Sequence, residues 1–243
     1  MTDSILATAA QWNNAGVTHF IRGQWSMAIP HFRRSMQVIE ANVADDGQAY
    51  DDGQGAPALD DPSHWVAAIR VSSSLVASQK QLEEDDDDDV PFYEFPILLQ
   101  EQQILTGMMA GEVPSMDRYI TCSAVATFNM ALACHKMGME TKGGVHLTRA
   151  LRLYEASIQM LSGSAKLTRD YAGIIVVALN NRTILYHKCG RYEDLERDAE
   201  RLLPPLDAAF QTKITSRILS EEELRGTFLN LLLLRRPAVA SAA

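Results

Sequence analysis

A chain of 243 residues, 47 % of them apolar, can bury a core and is too hydrophobic to be disordered throughout. The net charge of −9 is local: residues 43–89 hold 13 acidic residues against Arg70 and Lys80, which leaves the rest of the chain near +2. There is no cluster of Lys and Arg to meet phosphates, which argues against nucleic-acid binding. Cys122, Cys134 and Cys189 are too few for a disulfide framework and fit a reducing compartment. The N-terminal MTDSILATAAQW lacks the basic start and long apolar run of a secretory signal. The apolar stretch Phe228–Leu234, interrupted by Asn230, falls far short of the roughly 20 residues of a membrane span. These features predict a soluble cytoplasmic or nuclear protein with no membrane or nucleic-acid partner.

The first predicted elements are two helices within residues 1–42. Trp12, Ala15, Gly16, His19 and Phe20 fall at i, i+3, i+4, i+7 and i+8, one face of a helix. Gly23-Gln24-Trp25 breaks the pattern, and Ala28, Ile29, Phe32 and Ser35 restart it. Small residues (Gly16, Ala28, Ser35) stand among large ones (Trp12, Trp25, Phe32) where two antiparallel helices must touch. Residues 43–97 form an insertion. Its first part carries DDGQ twice, with Asp-Gly and Pro breakers and too little apolar surface to offset the entropy of ordering. The EF-hand spacing and its terminal Glu are missing, so calcium binding is not expected. His64–Leu75 alternates, and Val90–Leu99 (VPFYEFPILL) is rich in β-formers. The two predict a small β-hairpin, with Pro91 and Pro96 forcing an edge position. Between them Glu83–Asp89 is a solvated acidic run.

Residues 98–243 are predicted helical and complete a single domain. A helix over 98–112 ends at Gly111 and Pro114. A second helix pair begins near 117, with a loop (METKGGV) about seven residues longer than in the first pair. A third pair runs from Tyr171, stopped by Pro204-Pro205. A last helix opens at the capping box Ser220-x-x-Glu223, runs to about Arg236 and caps the array.

The pairs repeat one another. Asn13-Asn14 before Ala15-Gly16 recurs as Asn129 before Met130-Ala131 and as Asn180-Asn181 before Arg182-Thr183. The turn glycine recurs as Gly23, Gly138 and Gly190. Ala150, Tyr154 and Ser157 repeat the spacing of Ala28, Phe32 and Ser35. This pattern resembles the tetratricopeptide (TPR) repeat, a helix–turn–helix of about 34 residues whose large residues fill gaps left by small ones. The expected fold class is therefore all-α: a TPR-like superhelix of antiparallel helix hairpins with a small β-hairpin insertion. The resemblance implies a non-catalytic scaffold or adaptor that binds a protein or peptide partner through its concave face, lined by the first helix of each pair. The residues that the resemblance places there are Asn13, Val17 and Phe20, then Phe128, Asn129, Leu132 and His135, then Asn180, Ile184 and His187. Such a mixed surface suits a peptide helix or an extended segment, with Asn side chains bonding the ligand backbone.

The cationic fork of chaperone-binding TPRs is absent, because the corresponding places hold Asn13, Val177 and Asn181, so tight binding of a chaperone tail is not expected. Cys134-His135 and His187-Lys-Cys189 lack zinc-ligand spacing, and Cys134 reads as a small core residue. No motif for catalysis or nucleotide binding is present, and neither metal nor cofactor is expected. The alternatives are a small-ligand sensor or enzyme in the inter-repeat groove, or a structural subunit of a larger assembly. Exposed leucines on the last helix would instead make a homodimer interface.

Overall fold

A computed structural model describes residues 3–43, 66–68, 92–99, 116–211 and 219–234. The Glu83–Asp89 run, the helix expected beyond Leu99 up to residue 112, residues 212–218 and the C-terminal tail lie outside these. Helix α1 (Asp3–Ile21) and α2 (Trp25–Val43) form the first hairpin, α3 (Met116–Thr141) and α4 (Gly144–Leu161) the second. A short helix α5 (Ala165–Asp170), capped by the Ser164 hydroxyl, leads to the third, α6 (Ala172–Lys188) and α7 (Tyr192–Gln211). Helix α8 (Glu221–Leu234) ends the described chain. Strands β1 (Val66–Ala68) and β2 (Ile97–Leu99) pair antiparallel, Val66 opposite Leu99. The described residues are thus mostly helical, as an all-α chain requires, with a small β element where a hairpin is expected. Leu98 and Leu99 belong to β2 and do not open a helix.

The hairpins pack in chain order, α2 on α3 and α4 on α6, and α8 covers α6 and touches α7. In the first hairpin a Cβ on Gly16 would stand 2.6 Å from the Phe32 ring, so the absent side chain is what lets the two helices close. The first two hairpins share a polar seam. The Ser35 hydroxyl donates to the Ala9 carbonyl at 2.7 Å, and the Ser157 hydroxyl donates to the Ala124 carbonyl at 2.9 Å. Both bonds satisfy a buried hydroxyl where a larger side chain would hold the helices apart.

All three hairpin turns close alike, with an N–H reaching back five residues: Gln24 to His19, Gly143 to Gly138, Arg191 to Tyr186. The residue before each donor is left-handed: Gly23 (φ 72°), Lys142 (φ 50°) and Gly190 (φ 66°). Gly138 is therefore not a turn glycine. It lies inside α3, where Leu147 occupies the space a Cβ would need. The seven residues expected as a longer loop are instead an added turn on each helix of the second hairpin. Glu140, on that added turn, accepts the Trp25 indole N–H at 2.5 Å and ties the tip to the first hairpin.

Pro204-Pro205 does not stop α7, which runs on to Gln211. Two ladder hydrogen bonds are lost there. Burial of Leu202, Pro205 and Leu206 on the side facing the core keeps the backbone helical past them. The expected capping box is formed at α8: Glu223 N–H donates to the Ser220 hydroxyl oxygen at 3.2 Å, and Ser220 N–H donates to the Glu223 carboxylate at 2.5 Å. Leu224, Thr227 and Asn230 of α8 are buried, and Phe228 and Leu229 are exposed.

Candidate functional site: an asparagine ladder on an extended segment

The first helices of the three hairpins, α1, α3 and α6, each present an asparagine nine residues before Gly23, Gly138 and Gly190: Asn14, Asn129 and Asn181. A carboxamide has one acceptor and one donor edge, so it can bond both the N–H and the C=O of a single extended residue, as a neighbouring strand does. All three do so, and their shared ligand is residues 92–99 of the same chain. Asn181 Oδ1 accepts from Tyr93 N–H at 2.8 Å, and its Nδ2 donates to the Tyr93 carbonyl at 3.0 Å. Asn129 holds Ile97 in the same way at 2.8 and 2.7 Å. Asn14 holds Leu99 at 3.0 and 2.7 Å. The segment thus runs antiparallel to the order of the hairpins.

Residues 93, 97 and 99 are separated by even numbers, so their peptide groups face one edge of the extended chain. Leu98 faces the other edge, paired with Ala67 of β1. Pro96 also belongs to that second edge, so its missing N–H falls where no asparagine needs it. On the opposite edge, side chains from helices take the place of a neighbouring strand; Pro91 of the edge expectation lies outside the described residues.

Asn13 braces the ladder. Its Nδ2 donates to the Ile97 carbonyl at 3.1 Å and to Asn14 Oδ1 at 3.3 Å, and its Oδ1 accepts from Asn129 Nδ2 at 2.9 Å. Asn181 is braced by the Tyr154 hydroxyl, which accepts from Nδ2 at 3.1 Å and stands 3.3 Å from His135 Nδ1. A hydroxyl that accepts from Asn181 has its proton free for Nδ1. The Nε2–H tautomer fits this arrangement, and Nε2 is buried with no hydrogen-bond partner among the described residues. Burial, with Lys136 and Lys188 adding to it, pushes the His135 pKa down to about 3, so the ring is neutral.

The side chains of the segment are also received. The Phe92 ring stacks on His135 at 4.1 Å and 20°, and the Lys136 ammonium stands 4.8 Å from the Phe92 centroid. Lys136 also pairs with Glu94 at 2.9 Å. Tyr93 packs toward Phe128, which in turn meets Tyr154. Ile97 and Leu99 are fully buried.

The residues expected on a concave face are distributed as follows. Asn13 and Asn129 bond the segment, and His135 and Phe128 make ring contacts with it. Val17, Phe20, Leu132 and Ile184 are buried in the core, with Phe20 edge-on to Trp25. Asn180 lies under α8, where its side-chain oxygen accepts from Asn230 Nδ2 at 3.4 Å. His187 meets the Tyr192 ring near the third turn. Sequence reasoning passed over Asn14, Asn181 and Tyr154. Counting back nine residues from Gly23 and Gly190 finds both asparagines, and the same count from Gly138 inside α3 finds Asn129.

Behind the ladder, the buried Arg182 guanidinium pairs with Glu155 of α4 and with Asp198 of α7 at 3.0 Å, and donates to the Tyr186 hydroxyl at 2.8 Å. It joins three helices directly next to Asn181. Cys122 and Cys134 are buried and Cys189 is exposed. Among the described residues no three His, Cys, Asp or Glu side chains stand close enough to share a metal ion, and no helix is long and apolar enough to cross a membrane. Comparison with protein-family models, with curated proteins and with solved structures gave no match for this chain.

Proposed function

We propose that this protein is a non-catalytic interaction scaffold that recognises an extended peptide by its main chain. The three hairpins are read as a divergent TPR-like array, with α1, α3 and α6 as its ligand-facing helices. The observation that carries the proposal is the ladder itself: Asn14, Asn129 and Asn181, at one register in three hairpins, each grip both polar groups of one extended residue. Recognition of main-chain groups supplies affinity without demanding a sequence, and side-chain pockets between the clamps supply selectivity. The array has no cationic fork, so an internal extended segment suits it better than a free C-terminal carboxylate.

The test is capture of partners from native lysate with the full chain and with an Asn14→Ala/Asn181→Ala variant whose helical circular dichroism is intact. A partner recovered near stoichiometrically by the full chain and lost with the variant supports the scaffold. Recovery of the protein alone, or a partner indifferent to the clamps, overturns it.

A further inference from the structure

The groove described above already holds a peptide, and that peptide belongs to the chain. Residues 92–99 are not part of any helix that forms the groove. In the chain they lie between α2 and α3, separated from Val43 by 48 residues and from Met116 by 16, and β1, within the first interval, pairs with their end, residues 97–99. Their attachments to the helical body include side-chain contacts at every clamp: the three two-way carboxamide pairs, the Asn13 brace and the Lys136–Glu94 pair. Each clamp reads an N–H and a C=O that any extended chain carries. The fit of 92–99 is therefore a template for what else fits.

Side chains narrow that template. Full burial of Ile97 and Leu99 calls for aliphatic residues two apart at one end. At the other end, Lys136 sits over the Phe92 ring and pairs with Glu94, and His135 stacks on the same ring. This end calls for an aromatic residue followed two positions later by an acid.

We infer that residues 92–99 are an exchangeable occupant of the asparagine groove, holding it closed against a partner segment of the same chemistry: extended, aromatic-x-acidic at one end and aliphatic-x-aliphatic at the other. This rests on the main-chain recognition proposed above and adds the ligand pattern and the device that regulates access. An occupant that is part of the same chain competes intramolecularly, so a free partner must match the pattern well to displace it.

Two measurements on the full chain test it, with a synthetic peptide of residues 90–101 as the probe. The first is native-state hydrogen exchange of the unmodified chain. Exchange of the Tyr93, Ile97 and Leu99 amides at least tenfold faster than the slowest amides of α3 and α6 supports separate opening of the segment. The second is titration of fluorescently labelled peptide into an Ile97→Asp/Leu99→Asp variant, in which the tethered copy is spoiled and the groove residues are untouched. The expected result is binding at least tenfold tighter than to the unmodified chain, abolished when the peptide is N-methylated at Ile97 to remove the donor that Asn129 reads. If the labelled peptide binds but the segment amides of the unmodified chain exchange only with the slowest helical amides, the occupant is permanent: the inference falls and main-chain recognition stands. If the variant keeps its helical circular dichroism and does not bind the peptide, both fall. If the variant cannot fold, the segment is an integral strand and the inference falls.

Discussion

Asn129 and Ile97, 32 residues apart in the chain, bond each other twice: Ile97 N–H donates to Oδ1 at 2.8 Å, and Nδ2 donates back to the Ile97 carbonyl at 2.7 Å. The same carboxamide also donates to Asn13 Oδ1. Its removal strands an N–H on Ile97 and an acceptor on Asn13, all in buried surroundings. Asn129→Ala is expected to lower stability by about 1–3 kcal/mol, the range for leaving buried polar groups unsatisfied. Asn181→Ala acts similarly. Asn14→Ala acts less, because Asn14 is half-buried and water can replace it. Urea unfolding of the three variants checks the order, and equal effects would show that the clamps do not differ in burial.

His135 makes stability depend on pH. Its ring is neutral in the fold, with a pKa near 3 caused first by burial and then by Lys136 and Lys188. The unfolded chain takes up a proton near the ordinary value of about 6.5. Below that pH the unfolded state binds more protons, so the contribution of this residue is full above about 6.5 and is lost as the pH falls toward 3. The slope from this residue approaches about 1.4 kcal/mol per pH unit. In a comparison of urea midpoints from pH 7 to pH 4.5, His135→Gln should flatten the decline. A decline of the same slope in the variant would assign it to other groups.

Two glycines should respond in opposite directions. Gly16→Ala pushes a methyl group into the Phe32 ring, an overpacking expected to cost about 1–3 kcal/mol. Gly226, inside α8, has nothing within 4 Å of a built Cβ. Gly226→Ala should stabilise by up to about 1 kcal/mol through helix propensity alone. Thermal melts of both variants read the two signs, and destabilisation by Gly226→Ala would mean that α8 packs against something that this surface does not show.

Arg182 is the buried charge on which Glu155 and Asp198 converge, and Asp198 is itself almost fully buried. Truncating the arginine leaves the buried Asp198 carboxylate with only the partly exposed Arg201 as its cation. Arg182→Ala should cost about 3–5 kcal/mol, measured by denaturant unfolding. An effect below about 1 kcal/mol would show that Arg201, 3.2 Å from Asp198, compensates alone.

The local elements were legible because they rest on interactions a few residues apart. The i, i+3, i+4 stripe from Trp12 to Phe20 marks α1. The small–large alternation places Gly16 against Phe32. The Ser35/Ser157 correspondence predicts equivalent positions, and both hydroxyls bond the facing helix at the same register. The Ser220–Glu223 capping box opens α8 where expected. Asparagines were recognisable as donors to an extended backbone, but Asn13 and Asn180 were singled out where Asn14 and Asn181 carry the clamps. Adjacent helical residues point about 100° apart, and only the packed hairpins settle which of the two faces the groove.

Composition and periodicity by themselves therefore determined a mostly helical chain of repeated hairpins with a short strand pair in the region expected as a β-hairpin. Tertiary structure decided the rest. It carried α7 through Pro204-Pro205, because burial of Leu202, Pro205 and Leu206 outweighs two missing ladder bonds. It turned the longer second loop into an added turn on α3 and α4, closed by Lys142 in place of a glycine. It also brought residues 92–99 onto asparagines as far as 88 positions away in sequence. No local pattern encodes that meeting, because a main-chain N–H and C=O look the same in every residue. Which ones the ladder holds follows from where the hairpins place three carboxamides in space.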